Sequence, residues 1–201
     1  PPEHIGYTFA GWIEDFSNIT NDLDVHSAWE LVVYSITYVV NGGELPASYP
    51  TEYTIESDTF SLPIPAKTGY AFVGWYENGT LFAEIATGSY GDRVFEAKWS
   101  AIVYSITYNL NGGAFEVTPK TLYTIETETF TLTVPVKNGY TFGGWYENAD
   151  LAGAPVAKIE KGSYGNRVFY AKWNKINYTI TYNLNGGQFT APPISTYTIE
   201  S

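Results

Sequence analysis

The chain of 201 residues contains no cysteine and no methionine. The absence of cysteine excludes a disulfide framework, thiolate metal sites and thiol catalysis. It fits either a bacterial surface, where many proteins lack cysteine, or a cytoplasm. Because the initiator methionine is missing, we expect the sequence to be a fragment or a processed chain.

Basic residues are also scarce, with 10 Lys and Arg against 21 Asp and Glu, a net charge of −11. Such a charge repels phosphate backbones and anionic membranes, so nucleic acid is not expected as a partner. No run of 18 apolar residues exists, and residues 1–12 lack the basic start and apolar centre of a signal peptide. We therefore expect no membrane insertion in this segment and place any export or anchoring signal outside it.

The chain is instead rich in internal repeats. Three motifs recur with the same spacings of 70 and 74 residues: a Tyr-(Ser/Thr)-Ile-Thr-Tyr string from Tyr34, Tyr104 and Tyr178, Asn-Gly-Gly from Asn41, Asn111 and Asn185, and Tyr-Thr-Ile-Glu from Tyr53, Tyr123 and Tyr197. The spacing predicts four domains. Residues 1–33 are the C-terminal half of a copy, 34–103 and 104–177 are complete copies, and 178–201 are the N-terminal half of another. Linkers of only four residues join the copies.

Alternation of apolar and polar residues predicts four strands in each copy. In the second copy, the first strand buries the face that carries Tyr104, Ile106, Tyr108 and Leu110. The second strand changes phase at residues 127–129, which predicts a bulge or a break there, and Pro135 ends it. The third strand bends at its Gly143-Gly144 pair, and the fourth contains Phe169, Ala171 and Trp173.

The loops are predicted from differences between the copies. Helical periodicity is weak throughout, and residues 147–159 are its best candidate. The four extra residues of the second copy fall between Trp145 and Gly162, so residues 149–155 should form a surface loop. Only 17 residues separate Trp12 from Trp29, against 24 between Trp75 and Trp99, so the first half-copy should have a shortened loop and an irregular fourth strand.

Three ordered motifs resemble those of a known family. Tyr-x-Ile-Thr-Tyr-x-Leu-Asn-Gly-Gly, Gly-Tyr-x-Phe-x-Gly-Trp-Tyr-Glu-Asn and a closing Ala-Lys-Trp follow one another in register over essentially the whole chain. This pattern resembles the Listeria–Bacteroides repeat, also called the internalin B-repeat. The resemblance implies a mainly β (α+β) protein of small β-grasp-like units in tandem, in large bacterial surface proteins, with no catalytic residues.

The candidates for chemistry are few. His4 and His26 have no histidine counterparts in the complete copies, so we interpret them as solvent-facing residues. Asn21, Asp22 and Asp24 lack the further oxygen ligands of a calcium site, so a solvated turn is the better interpretation. We predict no catalytic, cofactor-binding or metal-binding residue and no cofactor, and hence a protein that is not an enzyme.

Surface modification has weak sequence support. The recurring Lys98 and Lys172 could be considered for an intramolecular Lys–Asn isopeptide bond, but they lie on the face opposite the predicted core. Glycosylation triplets begin at Asn18, Asn78 and Asn177, which carries little weight in a chain rich in Asn and Thr. The Asn-Gly-Gly segments are predicted to be turns and not phosphate loops, because no helix or Lys follows them.

Aromatic residues make up 17% of the chain, and their positions favour packing over binding. A tryptophan follows glycine in each copy and another ends each last strand, as expected of core residues in a small unit, at Trp12, Trp29, Trp75, Trp99, Trp145 and Trp173. Tyr76, Tyr146 and Tyr170 are predicted to point outward, towards a neighbouring copy.

Two functions follow from these expectations. The leading one is a non-enzymatic structural array of a bacterial cell-surface or extracellular protein, acting as a stalk, spacer or fibre. Its partners would be neighbouring copies in the same or another chain. The half-copies at the ends would come from excision out of a longer array or, as the alternative, would complete each other head to tail between successive chains. The alternative is an adhesin module that binds a glycan or a host protein through exposed aromatics or a sheet edge.

Overall fold

The structure, a computed structural model, describes residues 1–201 and divides into two compact units, residues 1–100 and 101–201. It contains seventeen strands and no helix, which confirms the mainly β class with little helix. Residues 147–159, the best helical candidate, form a loop that leads into a short strand. Among the elements there is no apolar helix of membrane-spanning length.

The first unit contains a half-copy and a complete copy. The half-copy is an antiparallel pair of strands, β1 (Tyr7–Trp12) and β2 (Ser27–Leu31). The complete copy has seven strands: β3 (Tyr34–Val39), β4 (Glu52–Tyr53), β5 (Phe60–Ser61), β6 (Tyr70–Glu77), β7 (Thr80–Phe82), β8 (Glu84–Ile85) and β9 (Arg93–Ala101).

The second unit contains a complete copy and a half-copy. The complete copy has six strands: β10 (Tyr104–Asn109), β11 (Leu122–Tyr123), β12 (Phe130–Thr131), β13 (Tyr140–Tyr146), β14 (Lys158–Ile159) and β15 (Arg167–Lys175). The half-copy is the antiparallel pair of β16 (Tyr178–Thr179) and β17 (Thr196–Tyr197).

The predicted second strand is broken in two, as its change of phase indicates. In the second copy β11 pairs with β10, whereas β12 pairs with β14, and a turn separates them with Thr127 N donating to Thr124 O at 3.0 Å. The strand ends at Thr131, earlier than the expected Pro135. Each complete copy therefore has more strands than the four predicted. The additional strands were not predicted because segments of two or three residues are too short to show alternation.

Each complete copy is built around a mixed sheet whose first and last long strands are parallel neighbours. The strand order is β4-β3-β9-β6-β7 in the first copy and β11-β10-β15-β13 in the second. Both parallel pairs are in the same register, with Ile36 opposite Arg93 and Ile106 opposite Arg167. Residues about 60 apart in sequence are thus brought side by side.

The third strand of the second copy carries a β-bulge at its glycine pair. The register shifts between Phe142 and Gly144, which confirms the predicted bend, and it shifts at the same place in the first half-copy, between Phe9 and Gly11. The expected irregularity of the fourth strand in that half-copy is wrong. β2 pairs along all five of its residues, and the one register shift of this ladder is the bulge that the second complete copy also has.

The two complete copies have matching cores. Seven buried residues of one copy correspond to seven of the other, at Ile36, Tyr53, Leu62, Trp75, Ile85, Phe95 and Ala97, and at Ile106, Tyr123, Leu132, Trp145, Ile159, Phe169 and Ala171. The buried face predicted for the first strand is confirmed. Truncating a core tryptophan such as Trp75 to alanine would cost about 3–5 kcal/mol.

Four of the six tryptophans lie in or against the two core clusters, and Trp29 is half-buried beside His4 and Phe9, outside them. Trp75 and Trp145 are 1% exposed, and Trp99 and Trp173 pack against the same clusters. The prediction is wrong for Trp12, which is 45% exposed. The ring that covers Trp75 belongs to Tyr38 on the first strand of its copy, 5.0 Å away, and residues 1–33 contain no counterpart of that strand.

Candidate functional site

The Asn-Gly-Gly segments form tight turns, as predicted. Asn41 and Gly42 have φ of 50° and 83°, and Gly43 N donates to Val40 O at 3.1 Å, the geometry of a type I′ turn. Asparagine and glycine suit these two positions because both residues tolerate positive φ.

Three side chains hold this turn, one from the turn itself, one from the last strand and one from the loop before the third strand. Asn41 Nδ2 donates to Ala97 O at 3.0 Å, Trp99 Nε1 to Val40 O at 2.9 Å, and Lys67 Nζ to Asn41 O at 2.9 Å. A Cβ on Gly43 would lie 2.4 Å from Trp99 Cζ2, so the third residue of the motif must be glycine for reasons of space. We call this arrangement the clamped turn.

The second copy has the same clamped turn. Asn111 Nδ2 donates to Ala171 O at 2.8 Å, Trp173 Nε1 to Leu110 O at 2.8 Å, and Lys137 Nζ to Asn111 O at 2.9 Å. Each lysine also lies over a tyrosine ring, Lys67 at 4.3 Å from Tyr70 and Lys137 at 4.4 Å from Tyr140. The Asn-Gly-Gly and Ala-Lys-Trp motifs therefore serve one structural purpose, which is to tie the turn after the first strand of a copy to its last strand.

In each unit, a Gly-Tyr pair of one copy contacts an Ile-Glu pair of the next copy. In the first unit, a Cβ on Gly6 would lie 2.6–2.8 Å from Ile55, so the isoleucine fills the space that this glycine leaves. Tyr7 Oη donates to Glu56 Oε1 at 2.6 Å, and this hydrogen bond raises the pKa of the tyrosine. We call these four residues the inter-copy contact.

The second unit repeats the inter-copy contact with equivalent residues. A Cβ on Gly139 would lie 2.7–2.9 Å from Ile199, and Tyr140 Oη donates to the Glu200 carboxylate. Lys175, which occupies the position of Leu31, adds an ion pair to Glu200. Lys175 first and then Tyr140 lower the pKa of this carboxyl.

The outer face of the sheet carries tyrosines that are covered by lysine side chains. Lys98 Nζ lies 3.8 Å from the centre of the Tyr76 ring, and Lys172 Nζ lies 5.3 Å from that of Tyr146. Both lysines are on the face opposite the core, as predicted. Tyr146 lies on this outer face but is only 6% exposed, so it does not face solvent, and Tyr76 and Tyr170 are half-buried. The same face has a shallow cavity of about 460 Å³ beside Tyr76.

A partly buried ion pair at the edge of the sheet was not anticipated from the sequence. Glu77 accepts hydrogen bonds from Arg93 Nε at 2.8 Å and from Val94 N at 3.0 Å. Partial burial is the largest influence on the pKa of Glu77 and raises it, but these bonds together outweigh burial and lower the pKa. The second copy keeps the pair as Glu147 and Arg167, at 2.6 Å. The signal available was the recurrence of a Glu two residues after the first tryptophan of each complete copy and of an Arg six residues before the second.

Comparison with known proteins places the chain in a family. Residues 34–98 and 104–172 match the Listeria-Bacteroides repeat domain. The chain belongs to this repeat family. No solved structure matches it significantly, so the likeness of each repeat to the β-grasp fold stays a prediction.

Three relatives contain similar segments within much longer chains. A "Putative Gly-rich membrane protein" of Evansella cellulosilytica is 31% identical over 93% of this chain, which covers 23% of the relative. A "Putative membrane protein" of the same organism is 32% identical over 92% of this chain and 29% of its own length. Internalin H of Listeria monocytogenes is 28% identical over 71% of this chain and 25% of its own length. The chain thus spans less than a third of each relative.

The residues weighed for catalysis or metal binding in this repeat array lie apart. His4 stacks on Tyr7 at 4.2 Å and occupies the position of Lys67 and Lys137 in the complete copies. His26 pairs with Glu14 at 2.6 Å and is 71% exposed. Asn21, Asp22 and Asp24 lie in an exposed loop, and no group of three or more His, Asp or Glu side chains is placed to hold a metal ion.

The loop and modification candidates are exposed. Residues 149–155, which hold the insertion of the second copy, lie on the surface as predicted and replace the edge strand β7 with a single bridge between Trp145 and Val156. The triplet asparagines Asn18, Asn78 and Asn177 are all exposed.

Proposed function

We propose that this repeat array is a non-enzymatic spacer or stalk of a bacterial membrane-associated or cell-surface protein. The observation that carries the proposal is the inter-copy contact, which recurs with the same residue types in both units. A contact that repeats from copy to copy is what a quasi-one-dimensional array requires, since each copy then needs only its neighbours for stability.

The connections between copies support an ordered spacer. Within each unit, the last strand of one copy is followed by the first strand of the next after only two residues, Val32-Val33 in one unit and Ile176-Asn177 in the other. The first residue of each pair is held, because Val32 N donates to Gly6 O at 2.9 Å and Ile176 N to Gly139 O at 3.0 Å. Such a short and bonded connection has little of the freedom of a flexible linker.

Location at a membrane or cell surface is proposed from the relatives. Two of them are named as membrane proteins and the third is Internalin H. A net charge of −11 would keep an extended array soluble and would discourage contact between arrays.

Small-angle scattering tests the role of the contact. Tyr7→Phe with Ile55→Ala, and Tyr140→Phe with Ile199→Ala, should broaden the distribution of distances, because the copies on either side gain freedom. The matched control is Tyr90→Phe with Ile64→Ala, exposed residues outside the contact that should leave the profile unchanged. A quadruple contact variant with the wild-type profile would contradict a spacer stiffened at these contacts.

Adhesion and end-to-end assembly stay predictions. Lys98 and Lys172 cover the rings of the outer face, which disfavours sugar stacking there, and a glycan array with the 201-residue chain tests this directly. Sedimentation at rising concentration tests association between chains. A strictly monomeric species of 22.3 kDa would rule out head-to-tail assembly.

A further inference from the structure

Five Asn-Gly pairs occur in this chain. Asn138-Gly139 differs from the other four, because Asn138 does not have a positive φ. The other four adopt the same turn. The asparagines Asn41, Asn78, Asn111 and Asn185 have φ of 46–50°, and the glycines that follow them have φ of 83–95°. Backbone geometry therefore does not distinguish them. The environment of the asparagine side chain does.

The clamped turns hold two of these side chains. Asn41 Nδ2 is bonded to Ala97 O and Asn111 Nδ2 to Ala171 O, in both cases with the contact partly buried. Asn78 is different, because it lies at the exposed tip of the β6–β7 hairpin and its side chain makes no hydrogen bond. The space above Gly79 is open, since no atom lies within 4 Å of the position that a Cβ would take there.

We propose that Asn78 is a site of spontaneous deamidation and that the clamp protects Asn41 and Asn111 from the same reaction. The amide nitrogen of Gly79, after losing its proton, attacks Cγ of Asn78 and forms a C–N bond. The bond from Cγ to the side-chain nitrogen breaks, and ammonia leaves with a proton. Water then opens the five-membered succinimide at either carbonyl and yields aspartate or isoaspartate, so no co-reactant other than water is required.

The clamp acts by preventing the approach of Cγ to the following nitrogen. A side chain held by a partly buried hydrogen bond must first break that bond, which predicts a reaction slower by about fivefold or more at Asn41 and Asn111. Lys67 bonded to Asn41 O would by itself make the Gly42 amide more acidic and the reaction faster. Slow conversion at Asn41 would therefore be due to the held side chain.

The second copy has no equivalent site. Asn148 occupies the position of Asn78, but Ala149 and not glycine follows it. The Asn148 side chain is also held, because its Nδ2 donates to Ala152 O and its Oδ1 accepts from Ala152 N, each at 2.9 Å. At this hairpin position, deamidation would thus change the first complete copy and not the second. It would place a new carboxylate next to Glu77, and isoaspartate would lengthen the backbone of the two-residue turn.

The test is a time course of the whole chain in mildly alkaline buffer, with peptide mapping by mass spectrometry and enzymatic detection of isoaspartate. Asn111 and Asn185 form a matched pair, since both lie in Tyr-Asn-Leu-Asn-Gly-Gly but the Asn185 side chain has no hydrogen bond. We expect Asn78 and Asn185 to convert at least about fivefold faster than Asn41 and Asn111.

A second time course in concentrated urea removes the fold and should bring the four rates together. Conversion of Asn78 at the rate of Asn111 in the folded chain would overturn the proposal. So would a difference among the four sites that persists in urea, because the sequence and not the clamp would then set the rates.

Discussion

Replacing Tyr38 and Tyr108 with phenylalanine should have opposite effects, although the two residues are equivalent in the two copies. Both rings lie 5.0 Å from the core tryptophan of their copy. The Tyr108 hydroxyl donates to Lys120 O at 3.0 Å, whereas the Tyr38 hydroxyl is buried without a partner.

The magnitudes follow from this difference. Tyr108→Phe removes a net contribution of about 1 kcal/mol from the hydrogen bond, and the exposed Lys120 backbone can recover a bond to water. In the wild-type chain, burying the Tyr38 hydroxyl without a hydrogen bond costs about 1–3 kcal/mol. Tyr38→Phe removes this hydroxyl, so the stability should stay unchanged or rise. We expect the two variants to differ by about 1–2 kcal/mol.

Site-resolved hydrogen exchange under native conditions would read the stability of each copy separately. A loss of stability in Tyr38→Phe equal to that in Tyr108→Phe would refute the reasoning, because it would mean that the Tyr38 hydroxyl has a partner. A third variant, Tyr76→Phe on the outer face, controls for general effects of the substitution.

The pH dependence gives an independent check. Burial first, and then Tyr49, raise the pKa of Tyr38 to about 12. An acid with a raised pKa in the folded state favours folding while it is neutral, so its contribution is complete below the unfolded value of about 10 and is lost between there and about 12. Tyr38→Phe should remove one late phenol titration and flatten the stability profile over this range.

Three further predictions concern the clamped turn, the inter-copy contact and the edge ion pair. Gly43→Ala should destabilise the first copy by about 1–3 kcal/mol in denaturant unfolding, since Trp99 must move, and an undiminished midpoint would contradict the clamp. The Glu200 contact should stabilise the fold at pH values above the usual carboxyl pKa, and this stability should be lost as the pH falls through the lowered pKa of Glu200. Lys175→Gln should therefore raise the Glu200 pKa measured by NMR. Glu77→Gln should destabilise the first copy more than Glu147→Gln does the second in thermal unfolding, because the Glu77 pair is more buried, with side chains 15% and 17% exposed against 35% and 47%.

Much of the fold could be predicted because its signals are local. The alternation around Ile106 identifies a strand with one buried face, and the change of phase after Tyr123 identifies a break. The short strands β8 and β14 could not be found, because two residues carry no periodicity and their pairing depends on a partner more than 20 residues away.

The site was only partly predictable. The sequence indicates a turn at Asn41-Gly42-Gly43, but not that Trp99 and Lys67 hold it, since the parallel pairing of the first and last strands creates that proximity. His4 is expected only to face solvent. The sequence could also have placed it at the position of Lys67, because Pro2 aligns with Pro65 and Gly6 with Gly69. Tyr146 is expected to point outward because it follows Trp145, and it does lie on the outer face, but it is buried there beside Lys172.

The repeat, its main strands, its turns and its family can all be read from the sequence, because spacing, alternation and Asn-Gly chemistry are properties of neighbouring residues. Tertiary structure was needed to learn which glycine faces which isoleucine, which asparagine is held and which tyrosine hydroxyl has a partner. These outcomes depend on contacts across 12 to 60 residues, and no local pattern records them. Identical turns at Asn111 and Asn185 therefore have different surroundings, and equivalent tyrosines at 38 and 108 have different bonds.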